Sequence, residues 1–296
     1  MFSVFNEKIS EALNKIPFDK LQEIRVRNGR PIIVMYAGKN LYLSKDGATS
    51  DVEKSIRANF NEAEQIILKA TDYSVYTVAD MLKRGFLPLR QGARLGICGE
   101  WVKNGDQIKT VKNFTSVTFR VPHQVFGCAQ KLISLINRGG SMQGVLVLSV
   151  PGRGKTTLVR DMARILSHKH NVLIIDERYE IAASGAGGFG FDVGFCDVIC
   201  GAGRTEGVLC GIRACSPQII VTDEITAADF DAIYSAKTCG VSVIASVHAK
   251  SVEQLLQKDG FDIFIKNKIF SHYVLLSEFD IGKISCVYNE NLEEIC

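Results

Sequence analysis

Short runs of mainly apolar residues recur along the second half of the chain, and each is followed by a hydroxyl, acidic or imidazole residue. Runs of this length that are rich in Val, Ile and Leu predict strands buried on both faces of a parallel sheet. The first run is followed, after a glycine-rich segment, by helically spaced apolar positions from Leu158 to Ala163. Strands that alternate with helices predict an α/β fold. The runs occupy residues 144–148, 172–175, 217–222 and 240–247.

The first half of the chain has a mixed pattern. Asn28-Gly29 stands between two alternating segments, which is typical of a tight hairpin turn, and Pro31 predicts that the second strand of this hairpin lies near a sheet edge. We therefore expect a smaller mixed α/β domain over residues 1–125 and a second α/β domain over residues 126–296. Apolar spacing predicts helices over 5–16, 61–70, 76–83 and 128–137, and strands at 24–27, 32–36, 85–90, 93–98 and 116–120.

The segment after the first apolar run has the composition of a phosphate-binding loop. It consists of Ser149, Val150, Pro151, Gly152, Arg153, Gly154, Lys155, Thr156 and Thr157. Small residues let successive backbone N–H groups surround a β-phosphate, and the N-terminus of the following helix adds partial positive charge. Lys155 is expected to reach the β- and γ-phosphates, and Thr156 to bind Mg²⁺. Although Ser149 replaces the first glycine of G-x-x-x-x-G-K-[ST], the segment predicts binding of ATP or GTP with Mg²⁺.

Acidic and imidazole side chains follow the later apolar runs. The carboxyl ends of parallel strands open onto one crevice, so we expect Glu177, Glu224 and His248 to lie near the loop. Asp223 is predicted to hold Mg²⁺, and Glu224 to polarise the attacking water. A histidine at a strand end is more often structural than functional when taken alone, so both interpretations of His248 stay open.

Composition narrows the class of protein. The chain has 296 residues, of which 46% are hydrophobic, enough for a large core in two domains. No apolar stretch approaches the ~20 residues that span a bilayer, and the first residues do not resemble a signal peptide, so we expect a cytosolic protein. The nine cysteines include no C-x-x-C pair with a nearby histidine, which favours reduced structural cysteines over a disulfide or zinc framework.

Charge is divided unevenly between the two halves. Residues 1–140 contain 21 Lys and Arg against 13 Asp and Glu, whereas residues 141–296 contain 14 against 19. The basic half suits either an acidic surface of a neighbouring subunit or another anionic partner, and a solvated surface is an equally adequate explanation. Nucleic acid is not favoured, because neither a dense basic tract nor an obvious aromatic stacking platform accompanies the charge.

The order of these motifs resembles that of the stage III sporulation protein AA family. The resemblance covers nearly the whole chain, and the ordered set is more specific than any single motif. The matching segments are Glu-Ile-Arg-Val-Arg at 23–27, Phe119-Arg120-Val121, Gly127-Cys128-Ala129, the phosphate-binding loop, Asp176-Glu177-Arg178-Tyr179-Glu180-Ile181-Ala182, Ser216-Pro217, Asp223-Glu224-Ile225 and Gly240 to His248.

That family is similar to the ATPases of type II and type IV secretion and pilus machines. The resemblance implies a RecA-like P-loop NTPase domain after the smaller N-terminal domain, in subunits that form a hexameric ring. It also implies that Asp176-Glu177 form an acidic box, Asp223-Glu224 the Walker B motif and His248 the histidine box. The arginines that it implies as partners of the phosphates are Arg90, Arg94 and Arg120.

The resemblance further implies a cytoplasmic ATPase in the mother cell of a spore-forming bacterium, peripheral to the membrane around the forespore. There it would energise or gate a channel through membrane-protein partners. Thr226-Ala227 and Phe195-Cys196 occupy places where the family carries arginines, and Arg153 adds a charge to the loop, so hydrolysis is expected to be slow or partner-dependent. Two alternatives stay open, namely a RecA-like nucleic-acid-dependent ATPase and a nucleotide-binding assembly scaffold with little hydrolysis.

Overall fold

The computed structural model describes residues 2–72, 79–83, 85–105, 107–137, 143–184 and 188–296. The chain divides into two compact units. The first comprises Met1–His123 together with Ser184–Gly190, and the second comprises Gln124–Ala183 together with Phe191–Cys296. Within the described ranges, no helix combines the length and apolar character that a membrane crossing requires.

The first unit is an antiparallel sheet with helices on one face. Its strands lie in the order β4-β3-β2-β1-β7-β6-β5. Ile24, Val26 and Phe119 point into the core with the helices, whereas Arg25 and Arg120 lie on the opposite face. The strands are β1 (Leu21–Arg27), β2 (Ile33–Tyr36), β3 (Lys39–Ser44), β4 (Gly47–Thr49), β5 (Phe86–Pro88), β6 (Arg94–Asn104) and β7 (Gln107–Arg120), and the helices are α1 (Glu7–Leu13), α2 (Glu62–Ala70) and α3 (Ala79–Lys83).

Two predictions for this unit can be compared with the structure directly. The hairpin at Asn28-Gly29 is confirmed, since β1 and β2 pair in antiparallel fashion on either side of it. The edge position inferred from Pro31 is wrong, because β2 lies between β1 and β3. Pro31 precedes the first residue of β2, so its missing N–H removes no hydrogen bond from the ladder of that strand.

The second unit is a mostly parallel sheet with helices on both faces. Its strand order is β10-β9-β11-β12-β8-β13-β14, and only the last pair is antiparallel. The strands are β8 (Val145–Ser149), β9 (Val172–Asp176), β10 (Asp197–Cys200), β11 (Ile219–Thr222), β12 (Ser242–His248), β13 (His272–Leu276) and β14 (Ile284–Asn289), and the helices are α4 (Gln130–Ile136), α5 (Lys155–Leu166), α6 (Arg204–Cys215), α7 (Phe230–Thr238), α8 (Val252–Leu256) and α9 (Asp262–Lys266).

The apolar runs of the sequence become the central strands of this sheet. Every residue of β8, β9 and β11 is buried, because helices cover both faces. Val159 and Met162 of α5 pack in the core on one face, while Val208 of α6 and Ile233 of α7 pack in the core on the other. This arrangement brings the carboxyl ends of β8, β9, β11 and β12 to a common edge, where the polar residues follow.

Candidate nucleotide site

The phosphate-binding loop connects β8 to the N-terminus of α5. Its residues form one wall of an open cavity of about 410 Å³. Gly154 immediately precedes the helix with φ +92, a left-handed conformation that glycine adopts without strain. A Cβ at Gly154 would also lie 3.4 Å from the backbone of Gly282, so the position is crowded as well. The described residues that line the cavity are Pro151, Gly152, Gly154, Lys155, Thr156, Thr157, Glu180, Glu224, His248 and Ile281.

Lys155 is held inside the loop. Its Nζ atom lies 3.1 Å from the backbone oxygen of Ser149 and 3.3 Å from that of Val150, and both oxygens accept from it. Two further contacts are with Oγ of Ser149, at 3.3 Å, and with Nδ1 of His248, at 2.8 Å. Burial lowers the pKa of Lys155 to about 8. An ammonium group whose partners are uncharged would gain from an anion in the cavity, because phosphate oxygens compensate a buried charge better than carbonyl groups do.

Glu224 is connected to this lysine through His248. Nε2 of His248 lies 2.6 Å from Oε1 of Glu224, and the other carboxylate oxygen accepts a hydrogen bond from Arg178. The backbone supports this position, because the N–H of Glu224 donates to Oγ of Ser246 at 3.1 Å. Since Nδ1 of His248 accepts from the Lys155 ammonium, Nε2 is the ring nitrogen that carries the proton toward Glu224. One hydrogen-bonded chain therefore joins the loop lysine to the carboxylate and to a guanidinium.

Asp223 follows β11 and is fully buried. Among the described residues, neither of its carboxylate oxygens has a hydrogen-bond partner. Burial, reinforced by the charges of Asp176 and Glu180, raises the pKa of Asp223 to about 7. A buried carboxylate without donors is costly unless a cation or its water shell provides them.

These groups fit Mg²⁺, which takes oxygen ligands and keeps several waters. Thr156 lines the cavity in the first turn of α5 and offers a hydroxyl oxygen, whereas Asp223 is not among the described residues that line it. In the described part of the chain, no three His, Cys, Asp or Glu side chains gather as a metal-binding group. A cation here would therefore depend on phosphate oxygens and water for most of its ligands.

The acidic residues at the end of β9 and just after it make different contacts. Asp176 accepts four backbone hydrogen bonds, which fixes the loop that follows the strand. Glu177 lies 2.9 Å from Nη2 of Arg204 and is not among the described residues that line the cavity. Glu180 does line it. The structure thus brings Glu224 and His248 to the loop as expected and directs Glu177 to an arginine, while its catalytic role stays a prediction.

Arg178 is a site residue to which sequence reasoning gave no role. It stands inside the acidic segment, two residues after the end of β9, and its side chain is 51% exposed while it contacts Glu224. The available signal was its position at the carboxyl end of a parallel strand, where polar residues converge on the site. Periodicity gave no reason to distinguish it from other surface arginines.

The arginines predicted from the N-terminal half belong to the first unit. Arg94 and Arg120 are paired residues on β6 and β7, and they line a cavity of about 560 Å³ on the sheet face away from the core. Arg94 lies over the ring of Phe86 at 3.7 Å, and Nε of Arg120 lies 3.5 Å from Glu23. The side chain of Arg90 lies outside the described part of the structure. Phosphate contacts by these arginines stay a prediction.

Comparison with known proteins identifies relatives over nearly the full length. The family model described as "Sporulation stage III, protein AA" matches residues 2–295. The chain is 31% identical over 303 residues to the stage III sporulation protein AA of Bacillus subtilis strain 168, covering 97% of this chain and 94% of that protein.

Solved structures show the same fold at low sequence identity. The Legionella pneumophila ATPase DotB aligns with a TM-score of 0.55 and 16% identity, covering 86% of this chain and 72% of that one. The pilus retraction motor PilT with bound ADP aligns with a TM-score of 0.59 and 14% identity, covering 86% of this chain and 74% of that one. The mixed α/β fold of the secretion ATPases is therefore also the fold of this chain.

Proposed function

The chain belongs to the sporulation stage III protein AA family, and from this premise we propose that it is a Mg²⁺-dependent ATPase of the secretion-ATPase type. It would energise or gate a channel between the mother cell and the forespore. The observation that carries the proposal is the single cavity in which the loop, Lys155, Glu224 and His248 meet. This is the set of groups that phosphoryl transfer to water requires, namely an anion cradle, a cation and a carboxylate.

Each residue of the candidate site has a separate role in the proposed hydrolysis of ATP. The loop amides and Lys155 would hold the β- and γ-phosphates, and Thr156 with Asp223 would hold Mg²⁺, which would supply positive charge against the phosphate oxygens. Glu224 orients a water and takes its proton while a bond forms from the water oxygen to the γ-phosphorus. The bond from that phosphorus to the β–γ bridging oxygen breaks, so ADP and phosphate are the products.

His248 and Arg178 would influence the position of the Glu224 carboxylate and the charge around it during this step. His248 bridges Lys155 and Glu224, so a phosphate that draws Lys155 away also changes the position of the carboxylate. Arg178 brings a guanidinium beside the same carboxylate. We assign it to stabilising charge on the transferred phosphoryl group, a role that arginines fill in other ATPases.

The wider assembly is proposed from the likeness to secretion ATPases, and no contact among the described residues of this chain carries it. We propose a ring of six subunits, each with an N-terminal domain over residues 1–125 and a RecA-like domain over residues 126–296. In that ring Arg90, Arg94 and Arg120 would approach the phosphates, and Glu177 would assist Glu224. The subunits would work in the mother cell, peripheral to the membrane around the forespore, and would act on membrane proteins of the channel.

Phosphate release from Mg²⁺-ATP tests this proposal over a range of protein concentrations. We expect activity per subunit to rise with concentration as subunits assemble, and to be lost in Lys155→Ala and in Glu224→Gln. The two variants separate binding from chemistry, because Glu224→Gln should still bind ATP while Lys155→Ala should not. Wild-type protein that does not bind ATP would refute the proposal.

A nucleotide-binding scaffold with little hydrolysis is the second candidate. It is favoured by the double engagement of Glu224, whose two carboxylate oxygens contact His248 and Arg178. A carboxylate held in this way is poorly placed to accept a proton from water. Tight ATP binding without turnover, even with membrane partners present, would favour this candidate over the motor.

A further inference from the structure

The turn between β13 and β14, residues 277–283, lies against the phosphate-binding loop. Gly282 donates its backbone N–H to the backbone oxygen of Arg153 at 3.1 Å. The Cα atom of Gly282 also lies 3.4 Å from where a Cβ on Gly154 would be. This segment, called here the β13–β14 turn, thus touches the loop at the residues just before α5.

Local hydrogen bonds fix the shape of the β13–β14 turn. Oγ of Ser277 accepts from the backbone N–H groups of Phe279 and Asp280, each at 3.1 Å. Nζ of Lys283 lies 3.3 Å from Oδ2 of Asp280, and the backbone of Ser277 donates to Lys283 at 2.8 Å. These hydrogen bonds order the turn without a ligand, so ligand binding would lose little conformational entropy in this segment.

Two large apolar side chains project from this ordered turn. Phe279 is 90% exposed and Ile281 is 74% exposed. Ile281 also lines the cavity that the loop and Lys155 form. Apolar groups beside a polar cavity that contains a phosphate-binding loop and a lysine are suited to a ligand with a charged end and a flat apolar end.

Strand order shows which end of a nucleotide would reach them. β8 carries the loop, and β12, which ends in His248, pairs with it on one side. β13 pairs with β8 on the other side. If the γ-phosphate faces Glu224 and His248, the nucleoside must leave the loop on the opposite flank, where the β13–β14 turn stands.

We propose that Phe279 and Ile281 form the platform on which the purine base of the nucleotide lies. The inference rests on the proposed function, since it needs a triphosphate in the loop, and it names the residues that bind the other end of that ligand. Stacking and dispersion against a ring and a branched alkyl group are satisfied by any purine. The platform thus favours purine nucleotides over inorganic polyphosphates without distinguishing adenine from guanine.

Calorimetric titration with two ligands tests the platform. Mg²⁺-ADP carries a base, and inorganic tripolyphosphate with Mg²⁺ carries none. We expect the double variant Phe279→Ala/Ile281→Ala to bind Mg²⁺-ADP about tenfold more weakly than wild type, a loss within the range that stacking of one base contributes. Tripolyphosphate affinity should not change, because the loop is intact.

A matched control removes an equally prominent ring elsewhere in the same unit. Phe195 is 74% exposed and lies against His168, beyond the C-terminal end of α5. That helix has 12 residues and is about 18 Å long, which separates Phe195 from the loop at its other end. Phe195→Ala should bind both ligands as wild type does.

The outcomes separate this inference from the proposed function. Unchanged Mg²⁺-ADP affinity in the double variant would overturn the platform, while the loss of binding in Lys155→Ala still supported the loop. Equal weakening for both ligands would also overturn it, since that result would mean a distorted loop. Wild-type protein that binds neither ligand would overturn the proposed function together with the platform.

Discussion

Arg204 is the centre of a buried ion-pair cluster, and removing its charge should destabilise the second unit. Its side chain is 6% exposed, and its two terminal nitrogens each lie 2.9 Å from a carboxylate oxygen, one on Asp229 and one on Glu177. Asp229 is itself 9% exposed, so Arg204→Met would leave a buried charge without its partner. Such a change costs about 3–5 kcal/mol. Glu177 is 34% exposed and adds at most about 1 kcal/mol, because water replaces the lost contact.

Urea unfolding of four proteins measures this effect. They are wild type, Arg204→Met, Asp229→Asn and the double variant. We expect Arg204→Met to lower the free energy of unfolding by about 3 kcal/mol or more. The double variant should be more stable than the sum of the single changes predicts, because no buried charge is left unpaired.

Two results would refute this reasoning. A cost below about 1 kcal/mol for Arg204→Met would mean that the arginine behaves as a surface residue does. Additive effects in the double variant would mean that Arg204 and Asp229 do not interact, in spite of their distance. Asp229 also accepts from the backbone N–H and the hydroxyl of Thr226, and an asparagine carbonyl can keep those bonds, so the cycle isolates the charge.

Three further predictions concern catalysis, reactivity and packing. Arg178→Ala should lower kcat about a hundredfold or more while ADP affinity is kept, since it removes the guanidinium beside Glu224, and equal turnover would contradict this role. Cys196 should resist iodoacetamide at pH 8 while exposed Cys210 reacts, because burial raises the pKa of the Cys196 thiol to about 12; peptide mass spectrometry would show the difference, and rapid Cys196 labelling would contradict it. Gly211→Ala should lower the free energy of unfolding by about 1–3 kcal/mol in urea, because the new methyl group would overlap a leucine side chain of β9, and an unchanged midpoint would contradict it.

The parts of the fold that sequence predicted well are those in which one local pattern dominates. The run at 144–148 became β8 because every one of its side chains is buried, and the run at 172–175 became β9 for the same reason. Helices α2 and α4 were predicted nearly to their ends, since helical spacing and an apolar face agree there. The predicted start of α3 at residue 76 lies outside the described residues.

Other features depend on partners that are distant along the chain. The strand predicted at 93–98 continues to Asn104 as β6 and pairs with β7, which begins at Gln107. The sequence after residue 98 has little strand pattern of its own, so it is the pairing with β7 that stabilises it as a strand. Similarly, Glu177 and Glu224 look equivalent in sequence, as the second residues of two acidic pairs after buried strands. Only the structure shows that Arg204 contacts Glu177 and that His248, at the end of β12, contacts Glu224.

The packing of the β13–β14 turn on the phosphate-binding loop has a consequence for synthesis on the ribosome. Each recognisable motif, from the loop to His248, is made before β13, yet β8 has no partner on that flank until residues 272–276 have emerged. The proposed nucleotide site would therefore be completed only after β13 has been made, later than every motif that contributes to it. A ribosome-bound chain arrested so that residue 271 is the last outside the exit tunnel is expected to show no ATP binding in a filter assay, whereas one that exposes residue 296 should bind.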